Sequence, residues 1–144
     1  MIVGQILKSK ADIGVVAVKP GDPVSAAVAI LSEKRIGTVV VSADGQRLDG
    51  ILSERDIVRE LGKRGTGCLS ASVSEIMTAK LTTCTAADSA DMVLQMMTEG
   101  RFRHLPVMEN GKMIGLISIG DVVKARLAEL SMEKDALEGM IMGH

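Results

Sequence analysis

Apolar residues recur with helical spacing in two segments of the chain, and the two segments match. In "PGDPVSAAVAILSE" (20–33) and "AADSADMVLQMMTE" (86–99) they fall at i, i+3, i+4 and i+7, which predicts one buried helix face in each. The matched residues are Val24, Ala27, Val28 and Leu31 in the first segment and Ala90, Val93, Leu94 and Met97 in the second. Each pair is separated by 66 residues, so the chain contains an internal repeat.

Other elements of the repeat flank these helices. A short segment that predicts a strand precedes each of them, "GVVAV" (14–18) and "LTTCT" (81–85). We expect Asp22 and Asp88 to be the helix N-caps and Pro23 to occupy a first helical position.

Two strands and a second helix complete each unit. The strands are predicted in "TVVVS" and "LDGILS" of the first unit and in "HLPVME" and "KMIGLIS" of the second, with Asp44-Gly45 and Asn110-Gly111 as turn signals. The phrases "GILSERDIV" (50–58) and "GLISIGDVV" (115–123) follow one pattern, 65 residues apart. We expect the second helices to begin at Ser53 and Ser118.

The predicted fold is of the mixed α/β (α+β) class, two β-α-β-β-α repeats packed sheet to sheet with pseudo-two-fold symmetry, because one unit alone buries too little surface. The boundaries are 1–64 for repeat one, 65–71 for a Gly/Ser-containing linker, 72–130 for repeat two and 131–144 for a C-terminal helical extension. The last helix should run toward Met140, with an apolar stripe at Leu127, Leu130 and Leu137.

Composition narrows the function. The net charge is −1 and Phe102 is the only aromatic residue, which argues against nucleic acid as a partner. We expect no membrane span and no signal peptide, hence a cytoplasmic protein. Cys68 and Cys84 match no metal-ligand spacing and are expected to be incidental buried thiols. We expect no enzyme activity, since the sequence shows no nucleophile–base pair, no metal ligands and no G-x-S-x-G elbow.

The repeated Ser-x-x-Asp has two interpretations. As a capping box, Ser53 and Ser118 would bond the amides of Asp56 and Asp121, and the carboxylates would reach back. A capping box favours Glu or Gln at this position, however, and a short fixed carboxylate also suits the two hydroxyls of a ribose. The serine hydroxyl and the helix N-terminus suit a phosphate.

A basic pair precedes the second of these helices. Arg103 and His104, in "RFRHLPV" (101–107), stand where repeat one has Gly37 and Thr38. They form either a solvated basic face or, beside the helix N-terminus, an anion site. The two repeats are therefore not equivalent, and Arg55 offers a charge that Gly120 cannot.

The doubled β-α-β-β-α unit with "G-hydrophobic-hydrophobic-S-x-x-D" resembles the cystathionine-β-synthase (CBS) domain, and the tandem resembles a Bateman module of the kind found in small stand-alone bacterial CBS-pair proteins. The resemblance implies an adenosine-containing ligand in clefts between the repeats, with ribose at the aspartates, phosphate at the serines and basic pair, and adenine near the first strands. The implied binding residues are Val16, Ala17, Val18, Gly37, Thr38, Ser53, Arg55, Asp56, Thr82, Thr83, Cys84, Arg103, His104, Ser118, Ile119, Gly120 and Asp121.

The expected function is a regulatory sensor that acts in trans on another protein, with AMP as the favoured ligand and ADP, ATP, NAD(H) or S-adenosylmethionine as others. A purely structural dimerisation module is the alternative, and an enzyme ranks third. The resemblance also implies a disc-shaped homodimer. Apolar residues on the second helices support a homodimer: Ile57, Val58, Leu61, Val122, Val123 and Leu127.

Overall fold

The computed structural model describes residues 1–10 and 15–142, so Gly14 of the first predicted strand and the last two residues of the predicted extension lie outside the described part. The first repeat contains β1 (Ala17–Val18), α2 (Val24–Lys34), β2 (Thr38–Val41), β3 (Gly50–Ser53) and α3 (Glu54–Arg64). The second contains α5 (Ala90–Gly100), β4 (His104–Glu109), β5 (Lys112–Ser118) and α6 (Ile119–Ile141). Outside the repeats lie α1 (Val3–Ser9), a 3-10 helix (Gly65–Ser70) and α4 (Val73–Ile76).

The strands form two small sheets. β2 pairs in parallel with β1 and antiparallel with β3, and all four of its residues are buried. β4 and β5 form a hairpin, whose turn has positive φ at Asn110 (52°) and Gly111 (77°). This is the backbone that a type I′ turn needs, so the predicted turn is confirmed.

Two predicted details are wrong. Residues 81–85 form no strand, and Cys84 alone makes an isolated parallel bridge with Val107. The N-caps are Pro23 for α2 and Ser89 for α5, one residue after the predicted Asp22 and Asp88. Each aspartate instead accepts a hydrogen bond from the backbone N–H three residues earlier. The residue after each aspartate therefore occupies the N-cap position.

The described residues fall into two compact units, each with its own core. One unit comprises residues 1–10, Thr83–Glu109 and 115–142, and the other comprises 15–82 and 110–114. This grouping crosses the predicted boundaries at residues 64 and 72, which remain a prediction about the repeat along the chain. The predicted helix faces are confirmed, since Val24, Ala27 and Leu31 are buried in one core and Ala90, Val93 and Met97 in the other. No helix within the described residues has the length and the apolar composition that a membrane span requires.

Each unit is completed by a short segment from outside its repeat. Val3 and Gly4 donate backbone hydrogen bonds to the carbonyls of Asp88 and Ala86, at 2.9 Å each, in the same way that residues 73 and 74 donate to those of residues 22 and 20 at 2.8 and 3.0 Å. Helix α1 thus performs for repeat two the role that α4 performs for repeat one. Sequence analysis missed α1, although "VGQIL" and "VSEIM" share a Val-x-x-Ile spacing that could have indicated it.

The first residue of the repeated phrase is glycine because these segments pass over it closely. A Cβ at Gly50 would lie 2.7 Å from Met77 Sδ and 2.9 Å from the carbonyl oxygen of Thr78, and one at Gly115 would lie 3.0 Å from Leu7 Cδ2. The glycines therefore make room for the segments that complete the two units.

Candidate functional site

The second helices begin where the repeated phrase predicts. Ser53 and Ser118 are the N-caps of α3 and α6, and both capping boxes are formed. The amides of Asp56 and Asp121 donate to the serine hydroxyls at 3.2 and 3.1 Å, and the serine amides donate to the aspartate Oδ2 atoms at 3.0 and 2.9 Å. The capping interpretation is therefore confirmed in both repeats, and any ligand role of these residues must use the atoms that remain.

In repeat one those remaining atoms are already engaged. Asp56 is buried, with 5% of its surface exposed. Its Oδ1 accepts from Arg59 Nη2 at 2.9 Å and from Thr78 Oγ1 at 3.3 Å, and its Oδ2 accepts from both the amide and the hydroxyl of Ser53. Four hydrogen bonds satisfy this carboxylate.

In repeat two the carboxylate is half-open. Asp121 Oδ2 accepts from the amide of Ser118 and pairs with Lys10 Nζ at 2.9 Å, while Oδ1 accepts no hydrogen bond from any residue that the structure describes. Lys10 also donates to the carbonyl of Leu116 at 2.9 Å. Burial acts to raise the pKa of Asp121, but the bonds from Lys10 and Ser118 outweigh it and lower that pKa. Asp121 is therefore a carboxylate with one oxygen that receives no donor from the described residues.

His104 of the basic pair lies near enough to this carboxylate for its charge to act on the pKa of His104. The backbone carbonyl of Arg103 accepts from the amide of Ile119 at 2.8 Å, which ties the start of β4 to the start of α6. Arg103 is exposed, whereas His104 is half-buried. Burial lowers the pKa of His104, and the charges of Lys10 and Arg103 add to this while Asp121 opposes it. His104 is therefore mostly neutral at pH 7, and the formal cations of this region are Arg103 and Lys10.

The CBS-domain family model matches residues 3–63 and 73–128, most of the chain, with one match for each repeat. The chain belongs to the CBS domain family. The resemblance predicted from the repeated phrase is confirmed. The family is typically regulatory, and the arrangement of strands and helices in this CBS-domain pair agrees with solved structures of other pairs.

Three relatives illustrate the likeness. The CBS-domain containing protein ATU1752 from Agrobacterium tumefaciens has a TM-score of 0.82 and 41% identity, over 88% of this chain and 99% of that one. A structure described as CBSX2 in complex with AMP has a TM-score of 0.74 and 28% identity, over 88% and 96%. The mitochondrial protein CBSX3 of Arabidopsis thaliana is 39% identical over 85% of this chain, which spans only 61% of that relative's length.

The structure limits which residues of the CBS-domain pair could contact adenine. The carbonyls of Val16 and Val18 accept from Val40 and Ser42 at 3.0 and 2.9 Å, and the side chain of Val18 lies in the core. Between them, Ala17 is exposed. Of the three residues predicted to contact adenine here, Ala17 is therefore the one that is exposed to solvent.

The corresponding segment of repeat two is similarly divided. Cys84 is buried, and both its amide and its carbonyl are bonded, to the carbonyl of Pro106 and the amide of Met108. Burial, followed by the nearby charge of Asp88, raises the pKa of the Cys84 thiol to about 11, so the thiol is protonated and unreactive. Thr82 and Thr83 are exposed.

The remaining predicted residues lie at the two helix starts. In repeat one, the carbonyl of Gly37 accepts from the amide of Glu54 at 2.9 Å, Thr38 is buried, and Arg55 is exposed. In repeat two, Gly120 is exposed, and a Cβ there would meet only Ser118 Oγ, at 3.7 Å. Lys10 is the residue that sequence analysis missed, because its proximity to Asp121 depends on the undetected placement of α1.

Proposed function

We propose that this CBS-domain pair is a regulatory module that binds an adenosine-containing nucleotide, AMP foremost, at the N-terminus of α6. The observation that carries the proposal is the half-open carboxylate of Asp121, which is held at Oδ2 by the amide of Ser118 and which, among the described residues, has no donor at Oδ1. A carboxylate fixed in this way can accept hydrogen bonds from a ribose diol. The four-fold satisfied Asp56 makes repeat one the weaker candidate.

The surroundings of Asp121 suit a phosphate as well. The hydroxyl of Ser118 accepts from the amide of Asp121 but donates to no described residue, in contrast to Ser53, whose hydroxyl donates to Asp56. The helix N-terminus, the exposed backbone at Gly120 and the cations Arg103 and Lys10 add donors and positive charge. We therefore expect AMP to bind more tightly than adenosine.

The relatives support an adenine nucleotide as the class of ligand, but they do not identify which nucleotide this chain binds. CBSX2, at 28% identity, is described in complex with AMP. ADP, ATP, NAD(H) and S-adenosylmethionine are the other ligands that we consider, and native mass spectrometry of the purified protein would distinguish their masses.

We further propose a regulatory rather than a catalytic role, action in trans on a partner protein, a homodimer and a cytoplasmic location. The exposed apolar residues Val58, Val123 and Leu127 on the second helices support the homodimer, whereas Ile57 and Val122 are buried in the cores of their own units. Cell fractionation tests the location, which is of interest because the relative CBSX3 is described as mitochondrial.

The decisive experiment compares two matched variants, Asp121→Asn and Asp56→Asn, by calorimetry with AMP and by chemical denaturation. Loss of a charge-assisted contact costs about 1.5–3 kcal/mol, so Asp121→Asn should weaken AMP binding at least about tenfold. Asp56→Asn should leave AMP affinity nearly unchanged but lower the free energy of unfolding by about 2 kcal/mol, because it removes charge from a buried, fully bonded group.

Two outcomes would contradict the proposal. If Asp121→Asn binds AMP as tightly as the wild type does, Asp121 serves only as a helix cap. If the wild type binds none of the five ligands, the alternative of a purely structural dimerisation module takes its place.

A further inference from the structure

The C-terminal helix carries an exposed apolar stripe that its own unit does not cover. The buried residues of α6 are Val122 and Ala125, both near its start. The exposed apolar residues of the stripe, with their exposed fractions, are Val123 (40%), Leu127 (62%), Leu130 (48%), Leu137 (59%) and Ile141 (83%). The predicted stripe at Leu127, Leu130 and Leu137 is thus present, and it is longer than expected.

The spacing of this stripe is that of a coiled coil. Positions 123, 127, 130, 134, 137 and 141 alternate steps of four and three residues, the a/d pattern of a heptad repeat. Five of the six positions are aliphatic, and the sixth is Lys134, whose side chain is 74% exposed. One polar residue among apolar a and d positions is a device that fixes register and the number of strands.

We infer that α6 pairs in an antiparallel coiled coil with α6 of a second copy of this chain. In this alignment Val123 faces the partner's Ile141, Leu127 faces the partner's Leu137, and Leu130 faces the partner's Lys134. Every stripe residue of one helix then meets a stripe residue of the other, and no two lysines of the seam face each other directly. Lys134 lies 3.8 Å from Glu138 of its own helix, so its ammonium can remain paired at the edge of the seam.

The charges beside the stripe select this orientation. In the antiparallel pair, Lys124 lies opposite the partner's Glu138, and symmetry gives two such opposite-charge pairs. The one like-charge pair is that of Glu133 with the partner's Glu133. In a parallel pair, Glu133 would instead lie opposite the partner's Glu138 twice, and the two Lys134 side chains would meet in the seam. Like charges at flanking positions disfavour a pairing, so the antiparallel arrangement is the better one.

The coiled coil rests on the proposed homodimer, shares with it the exposed residues Val123 and Leu127, and adds the stripe from Leu130 to Ile141. Val58 on α3 is exposed at 66% and lies outside the stripe. Substitutions at Val58 and in the stripe therefore separate the two ideas.

The test measures the dimer dissociation constant of the full chain by sedimentation or light scattering. Leu130→Asp and Leu137→Asp should each raise it at least tenfold, and Lys134→Leu should lower it. Met132→Asp is the matched control: Met132 is 69% exposed but lies on the opposite side of the helix from the seam, so the dissociation constant should not change. Because all these side chains are exposed, their substitution should not unfold the protein, and circular dichroism should show the helix content of the wild type.

Cysteine cross-linking tests the orientation. The double variant Val123→Cys/Ile141→Cys should form an intermolecular disulfide under mild oxidation, and Lys134→Cys should do so poorly. The native Cys68 and Cys84 are buried, which keeps the background low. Efficient cross-linking of Lys134→Cys without that of the double variant would overturn the antiparallel arrangement.

The same measurements distinguish a dimer that forms through α6 from a dimer that forms through another surface. A dimer that resists Leu130→Asp and Leu137→Asp but dissociates with Val58→Asp would overturn the role of α6 and leave the homodimer standing. A wild-type monomer at micromolar concentration would overturn both.

Discussion

The two repeats contain the same Ser-x-x-Asp and use its carboxylate differently. Asp56 is buried under four hydrogen bonds, two of them from Arg59 and Thr78. Asp121 Oδ2 pairs with Lys10, which lies near the N-terminus in sequence, and no described residue donates to its Oδ1. The same Ser-x-x-Asp motif thus has a fully bonded carboxylate in repeat one and a partly bonded one in repeat two. The difference arises because the segments that complete the two repeats bring different side chains to the motif.

The largest expected difference between the repeats concerns the glycines beneath those segments. Gly50→Ala should lower the free energy of unfolding by about 2–3 kcal/mol, within the range for overpacking, because the new Cβ would lie 2.9 Å from the backbone oxygen of Thr78, which cannot rotate away. Gly115→Ala should cost less than about 1 kcal/mol, since its closest neighbour is the flexible end of Leu7. Urea denaturation of the two variants measures both values.

Equal losses for the two alanine variants would contradict the difference in packing. Gly62→Ala serves as the control, because a Cβ there meets no atom within 4 Å and alanine is favoured over glycine inside a helix. It should leave the protein as stable as the wild type or slightly more so.

Local patterns predicted the fold well where the interactions are local. The apolar spacing around Val93 and the turn at Asn110-Gly111 correspond to a buried helix face and a tight hairpin. The helix starts at Ser53 and Ser118 were equally predictable, because the capping bonds span only three residues. Ser89 was missed as an N-cap in favour of Asp88 because both are good capping residues and only the backbone conformation distinguishes them.

The candidate site was predictable only in part, because its asymmetry depends on contacts far apart in the sequence. Lys10 and Asp121 are neighbours only because α1 completes repeat two, and the one local sign of this is the Val-x-x-Ile spacing that "VGQIL" shares with "VSEIM". Likewise, Thr78 reaches Asp56 across 22 positions of sequence. Sequence analysis therefore identified the two repeated carboxylates but could not tell that their hydrogen bonding differs.

A smaller effect is expected from the removal of Lys10. Its ammonium pairs with Asp121 Oδ2 at 2.9 Å, and in the proposed function a ribose diol that bonds Oδ2 as well as Oδ1 would have to displace it. Lys10→Met should therefore tighten adenosine binding by roughly fivefold, about 1 kcal/mol. AMP should gain less or lose affinity, because its phosphate would no longer meet the displaced ammonium.

Calorimetry with both ligands measures this change in preference. Lys8→Met is the matched control, since Lys8 is exposed on α1, two residues before Lys10, and its loss should leave both affinities unchanged. Adenosine binding that is unchanged or weaker in Lys10→Met would show that Lys10 does not compete for the carboxylate.

The smallest expected effect is a pH dependence that repeat two has and repeat one lacks. His104 has a lowered pKa in the folded protein because of burial, Lys10 and Arg103, against the opposing charge of Asp121, and its counterpart in repeat one, Thr38, does not titrate. Below the ordinary histidine pKa of about 6.5 the unfolded chain binds this proton more readily than the folded protein does. The stability contributed by neutral His104 is therefore present above pH 6.5 and is lost as the pH falls toward the folded-state pKa. The lowered pKa of Asp121 acts below its ordinary value of 3.8, outside this range. Denaturation of the wild type and of His104→Gln between pH 7 and pH 5 should show a steeper loss of stability in the wild type, and parallel curves would contradict the assignment.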